Sequence, residues 1–102
     1  MDTQVISKPI YQIVSDLTQE PRLEVALPLA IKDWLRLRLK EARDIQVDFE
    51  ERYGKDFQAF QRAWDSDEIP QRHSYKVERD YWEWEAAFTD EIQLKQMLES
   101  LP

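Results

Sequence analysis

Cysteine is absent from this 102-residue chain, and glycine and histidine occur once each. Without cysteine there are no disulfides, no thiolate metal ligands and no cysteine nucleophile. One histidine, His73, cannot build a multi-histidine metal centre. One glycine excludes a glycine-rich phosphate loop. With only five prolines beside it, an all-β sandwich rich in tight turns is excluded too. There is no run of about 18 apolar residues, so no membrane span is expected. The first residues lack the charged-then-apolar layout of a secretory signal, which makes the cytoplasm the expected location.

What is present is charge. Charged residues make up 34% of the chain, hydrophobic residues 42%, and the net charge is −7. The portion up to Gly54 holds 8 basic and 10 acidic residues, and the portion from Lys55 holds 6 and 11. An acidic second half opposes nonspecific binding to a phosphate backbone. It favours a basic protein partner through steering and complementarity. One domain spanning 1–102 is expected, with a thin stability margin that a homodimer or a partner would widen.

Residues 1–8 are short and polar enough to be mobile. Ile10, Ile13, Val14 and Leu17 follow Pro9 at helical spacing and predict a short amphipathic helix ending before Pro21. Residues 22–28, RLEVALP, alternate in polarity and predict one short N-terminal strand; the rival reading is an extended linker. From Leu29 to Tyr53 no breaker intervenes. Ile31, Leu35, Ala42, Ile45, Phe49 and Tyr53, widened by Trp34, predict a long central helix capped by Gly54. Asp56 fits the N-cap of a short aromatic helix whose inner side is Phe57, Phe60 and Trp64. Residues 65–74 predict a loop, and Ser74 an N-cap. A C-terminal helical segment then covers 75–102, with a break near Thr89 suggested by a possible capping box at Asp90 and Gln93. The fold class is mostly α. Phe49, Tyr53, Phe57, Phe60, Trp64, Tyr81, Trp84 and Phe88 are the expected packing residues.

Catalytic parts are not recognisable. His73 and Ser74 are backbone neighbours without an orienting group, so a solvated loop histidine beside a helix cap is the plainer reading. Carboxylate pairs such as Glu50 with Glu51 and Asp67 with Glu68 fall on wet faces, not in a cleft. Glu78, Asp80 and Asp90 have no metal-ligand signature spacing. No enzyme activity, metal or cofactor is expected. The basic cluster Arg36, Arg38, Lys40 and Arg43 is interleaved with Asp33, Glu41 and Asp44. That pattern predicts intrahelical ion pairs before it predicts a DNA-binding edge.

The most informative stretch is VERDYWEWEAAFTDE, residues 77–91. It sets Tyr81, Trp82, Trp84 and Phe88 among six carboxylates with Arg79 as the only base. On a helix Val77, Tyr81, Trp84 and Phe88 share a face. Trp82 and Trp84 stand roughly 200° apart, so they cannot enter one core. One indole belongs inside, and the other is left for solvent, for a folded-back N-terminal segment, or for another protein. Glu78, Tyr81, Trp82, Glu83, Trp84 and Glu85 are the candidate partner-binding residues, with Asp80 in the surrounding acidic ring.

DFEERYGKDFQAF (48–60) followed by SYKVERDYWEWEAAFTD (74–90) resembles small acidic antitoxins of prokaryotic toxin–antitoxin pairs. The resemblance covers about the last half of the chain. It implies a helical protein that binds and masks a basic toxin, often a ribonuclease, with Tyr81, Trp82, Trp84 and Glu85 among the contacts. RLEVALPLAIKDWLRLRL (22–38 within it) is similar to the strand-Leu-Pro-helix opening of ribbon-helix-helix repressors, which implies DNA binding through paired strands. Two departures stand against it: Glu24 among the groove-facing positions, and a helix with no early turn.

Overall fold

The computed structural model describes residues 6–102. Among them there are four helices and no strand: α1 Lys8–Thr18, α2 Leu23–Tyr53, α3 Phe57–Asp65 and α4 Tyr75–Ser100. The expected mobile start over 1–8 lies, for residues 1–5, outside the described residues, and Lys8 already begins α1.

Three end signals act as the sequence implied. Gly54 takes the left-handed conformation at φ 70° and its amide closes on the Glu50 carbonyl. The Asp56 carboxylate accepts the Ala59 amide at 2.8 Å. The Ser74 hydroxyl accepts the Val77 amide at 3.3 Å.

Two expectations are corrected. Residues 22–28 are not a strand: α2 starts at Leu23 and runs through Pro28. Leu23, Glu24, Ala26 and Leu27 are good helix formers, and Glu24 places a carboxylate in the positively polarised first turn. Pro28 costs the hydrogen bond that its amide would give the Glu24 carbonyl, a loss limited by its place near the helix start. With the strand goes the element on which the ribbon-helix-helix likeness depends. The second correction is at Thr89, where α4 continues unbroken. Once a helix is propagating, each further residue adds a bond without a new nucleation cost, so an internal cap motif is not obeyed.

α2 and α4 form an antiparallel pair. Lys32 donates to the Pro102 carbonyl, Gln46 Nε2 reaches Glu91 at 2.7 Å, and Arg52 meets Asp80 at 3.0 Å. α3 folds across one end of the pair. There Phe49, Phe57, Phe60, Ile69, Val77 and Trp84 form the buried core, with Tyr53, Trp64, Tyr81 and Phe88 packed around it. All eight expected packing aromatics lie in this cluster. Ile69, the single apolar residue of the polar loop, is an addition.

The 66–74 loop is pinned by Arg72. Its guanidinium donates to the Trp64 carbonyl at 2.6 Å, stacks over the Trp64 ring and pairs with Asp67 at 3.4 Å. Among the described helices α1 packs on α2 alone, and it is steadied by the Tyr11 hydroxyl on the Pro21 carbonyl. At the corner, the Glu20 carboxylate accepts the Arg22 guanidinium at 3.0 Å and the Arg22 amide at 2.7 Å; the first of these above all draws the Glu20 carboxyl down to about 2.

The result is elongated. The radius of gyration is 19.5 Å, against about 13 Å for a compact chain of this length. No helix among the described residues is long and apolar enough to cross a membrane.

Candidate functional site

The rotation of α4 separates its two tryptophans. Trp84 is 0% exposed, with Phe60 at 5.0 Å, Phe49 at 5.4 Å, Phe57 at 5.6 Å and Tyr53 at 6.0 Å between ring centroids. Its indole N–H has no acceptor among the described residues, a cost that the ring packing offsets. Trp82 is 64% exposed. α1 makes no contact with α4, so no folded-back N-terminal helix covers it.

Asp80 is not part of the surface ring. It is buried, accepts the Tyr53 hydroxyl at 2.6 Å and pairs with Arg52 at 3.0 Å. The Tyr53 phenol is pushed up to about 12, first by burial and then by its hydrogen bond to Asp80, which binds only the protonated form. A carboxylate one turn from the acidic surface thus locks α4 to α2.

Of the six candidate contacts, the structure brings four to the outside and turns two inward. Trp82, Glu83 and Glu85 are exposed and Glu78 is half-buried. Trp84 is enclosed in the core and cannot touch a partner while the fold persists. Tyr81 is half-buried; its ring lies 4.6 Å from Trp64 and its hydroxyl accepts from Gln61 at 3.1 Å. The physical reason is the same 3.6-residue period: Tyr81 and Trp84 share the inward face with Val77 and Phe88.

The outer face adds a residue that the candidate set lacks. Tyr75 is 76% exposed and precedes Trp82 by seven positions, two turns along the same stripe. That interval was the available signal. Arg79 sits between them, its guanidinium 5.8 Å from the Tyr75 ring and 3.7 Å from Glu83. Glu78 and Glu85, one turn before and one turn after Trp82, are nearly uncompensated. Glu78 has only His73 at 3.9 Å, an ion pair when the imidazole is protonated, and Glu85 has no ion-pair partner among the described residues. The surface is therefore an exposed indole and an exposed phenol rimmed by unneutralised carboxylates.

The other candidates are absorbed into structure. Arg36 pairs with Asp33, Arg38 with Glu41, Lys40 with Asp44, and Arg43 with Glu50 and Glu91. The basic cluster is thus neutralised along α2. Glu91 accepts the buried Gln46 amide; burial alone would raise its carboxyl, but Gln46, Lys95 and Arg43 outweigh that and lower it. No group of three or more His, Cys, Asp or Glu able to hold a metal ion occurs among the described residues.

A groove runs between α2 and α4. It has two adjoining hollows of about 290 and 340 Å³ that share Arg38 and Asp90, the first walled by Ala42 and Ala86, the second by Trp34 and Met97. Compared with protein-family models, curated proteins and solved structures, the chain matches none.

Proposed function

We propose that this chain is a non-catalytic binding protein of the antitoxin kind, which neutralises a basic toxin in the cytoplasm by covering its surface. The observation that carries the reading is Trp82: a large indole held in solvent by a rigid helix, with Glu78 and Glu85 bracketing it. Keeping so much apolar surface wet is unfavourable by about 25 cal/mol per Å², so an exposed indole on a well-packed helix is best used by burial against another molecule. Its acidic rim selects a basic surface and speeds encounter with it. The likeness of 48–60 and 74–90 to acidic antitoxins supports the same reading. Tyr75, Glu78, Trp82, Glu83 and Glu85 form the proposed contact set, and Tyr81 and Trp84 hold that set in place from beneath.

The test is coexpression with the product of the adjacent gene. A stable complex is expected, weakened by Trp82→Ala about 30-fold, the loss of a central aromatic anchor worth about 2 kcal/mol. Glu78→Lys with Glu85→Lys should slow association and flatten its salt dependence. Failure to copurify, or a complex indifferent to Trp82→Ala and to the charge reversals, overturns the reading.

A further inference from the structure

We propose that the end of the molecule away from the aromatic core is a homodimer interface, through which two copies of this chain pack α1 and the amino-terminal half of α2 against each other. Three independent observations meet there.

The first is unpartnered apolar surface. Ile10, Ile13 and Leu17, the stripe of α1, are all more than half exposed, and α1 buries none of its residues. An isolated helix of 11 residues is marginal in water, and among the described helices α1 has only α2 to lean on. On the same end Trp34 and Leu37 of α2 and Met97 of α4 are half or more exposed.

The second is area. The chain exposes 7561 Å², where a compact monomer of its mass exposes about 6,100 Å². That excess belongs to the whole elongated chain, and it leaves room for the ~800 Å² that each partner gives up in a standard interface.

The third is charge. Residues 8–45 and 89–102 together carry eight basic and nine acidic side chains, a net of −1, whereas 46–88 carry six and eleven, a net of −5. Two copies can therefore meet at this end with almost no repulsion, leaving their acidic ends apart. The near-neutral end offers little to select a strongly charged partner, which distinguishes it from the Trp82 surface.

Shape completes the case for a second copy. One chain presents both a ridge, the α1 stripe, and a groove, the 340 Å³ hollow walled by Trp34, Leu94 and Met97. In an isologous two-fold contact the same patch serves on both copies, so the ridge of each can seat in the groove of the other.

Sedimentation equilibrium on the full chain tests this. The expected mass is twice the 12.3 kDa of one chain. Ile13→Lys with Leu17→Lys, both at exposed positions, should weaken self-association at least about a hundredfold while helical circular dichroism is retained. Met97→Glu, on the other wall of the contact, should do the same and decides the matter if the lysine variant loses helix. Trp82→Ala should leave the dimer intact, so that this interface and the proposed toxin surface stand or fall separately. A wild-type chain that stays single up to about 100 µM, whether free or awaiting another protein at this end, overturns the proposal. So does a Met97→Glu variant that remains paired.

Discussion

The two ends of the α2–α4 pair are built from the same two helices and behave as different materials. At the Tyr53 end α3 closes over the pair, and Phe49, Phe57, Phe60 and Trp84 stack to exclude water. At the Leu29 end α1 packs on α2 without reaching α4, so among the described residues no helix plays the part of α3. Ala26, Leu35 and Ala42 are the buried apolar residues of α2 there, while Leu29, Ile31, Trp34 and Leu37 remain exposed. The contrast shows that an amphipathic helix pair does not make a core by itself. Two cylinders touch along a line, and it takes a third element to turn that line into an enclosed volume. The charge follows the same division: residues 46–88, which supply the closed end, carry a net −5.

The largest expected effect comes from breaking the closed end. Trp84→Ala removes the ring on which the other aromatics stack and should cost about 3–5 kcal/mol, a large share of the stability of a domain this size. Trp34→Ala, placed in the monomeric Ile13→Lys, Leu17→Lys chain, should cost less than about 0.5 kcal/mol, as expected of a wet position. Urea unfolding of both variants measures the difference. Equal costs would mean that the Leu29 end is closed in solution by something intramolecular.

The closed end was the more legible of the two in the sequence. Gly54, Asp56 and Ser74 punctuate it with residues whose backbone chemistry admits few alternatives, and its aromatics recur at helical spacing. The indole pair was legible as well, because a separation of two residues on a helix forces opposite faces. Which of the two turns inward stayed open, with both among the candidate contacts, although Val77, Tyr81 and Phe88 share the face of Trp84. Asp80 was not legible. An acidic residue in an acidic run reads as solvated, and only the arrival of Arg52 and the Tyr53 hydroxyl from 28 and 27 positions away makes its burial tolerable. Gln46 is the same case, with Glu91 as the distant partner.

The Leu29 end misled for a different reason. RLEVALP alternates by accident, and at seven residues period two and period 3.6 are barely separable. Likewise Ile10, Ile13 and Leu17 mark a face correctly but say nothing about what covers it.

Pro28 sharpens that part of the comparison. If α2 is helical from Leu23, then Pro28→Ala restores an amide to the Glu24 carbonyl and relieves the ring clash. That should stabilise the chain by about 1–3 kcal/mol, less than the full interior value because the site is near the helix start. The gain should appear as added helical circular dichroism and slower amide exchange over 23–28. A neutral or destabilising Pro28→Ala would mean that 22–28 is extended in solution, and the strand reading would return.

A smaller effect tests the closed end itself, where Tyr53 and Asp80 clamp α2 to α4. The Tyr53 phenol stands at about 12 in the folded chain, above its ordinary value of 10.0. A raised value favours the neutral form, so the stabilisation is fully present below pH 10 and drains away as pH rises through about 12. Ionisation would set a phenolate against the Asp80 carboxylate at hydrogen-bond distance. The phenol is only partly buried, so solvent screening leaves a contribution on the order of 1 kcal/mol. Tyr53→Phe removes the titrating group while keeping the ring against Phe60 and Trp84. The melting temperature of the wild type should therefore fall more steeply between pH 10 and 12 than that of Tyr53→Phe. Parallel profiles would mean that the hydroxyl is solvated and that Arg52 alone holds Asp80, leaving the ring stack as the whole of what distinguishes the closed end.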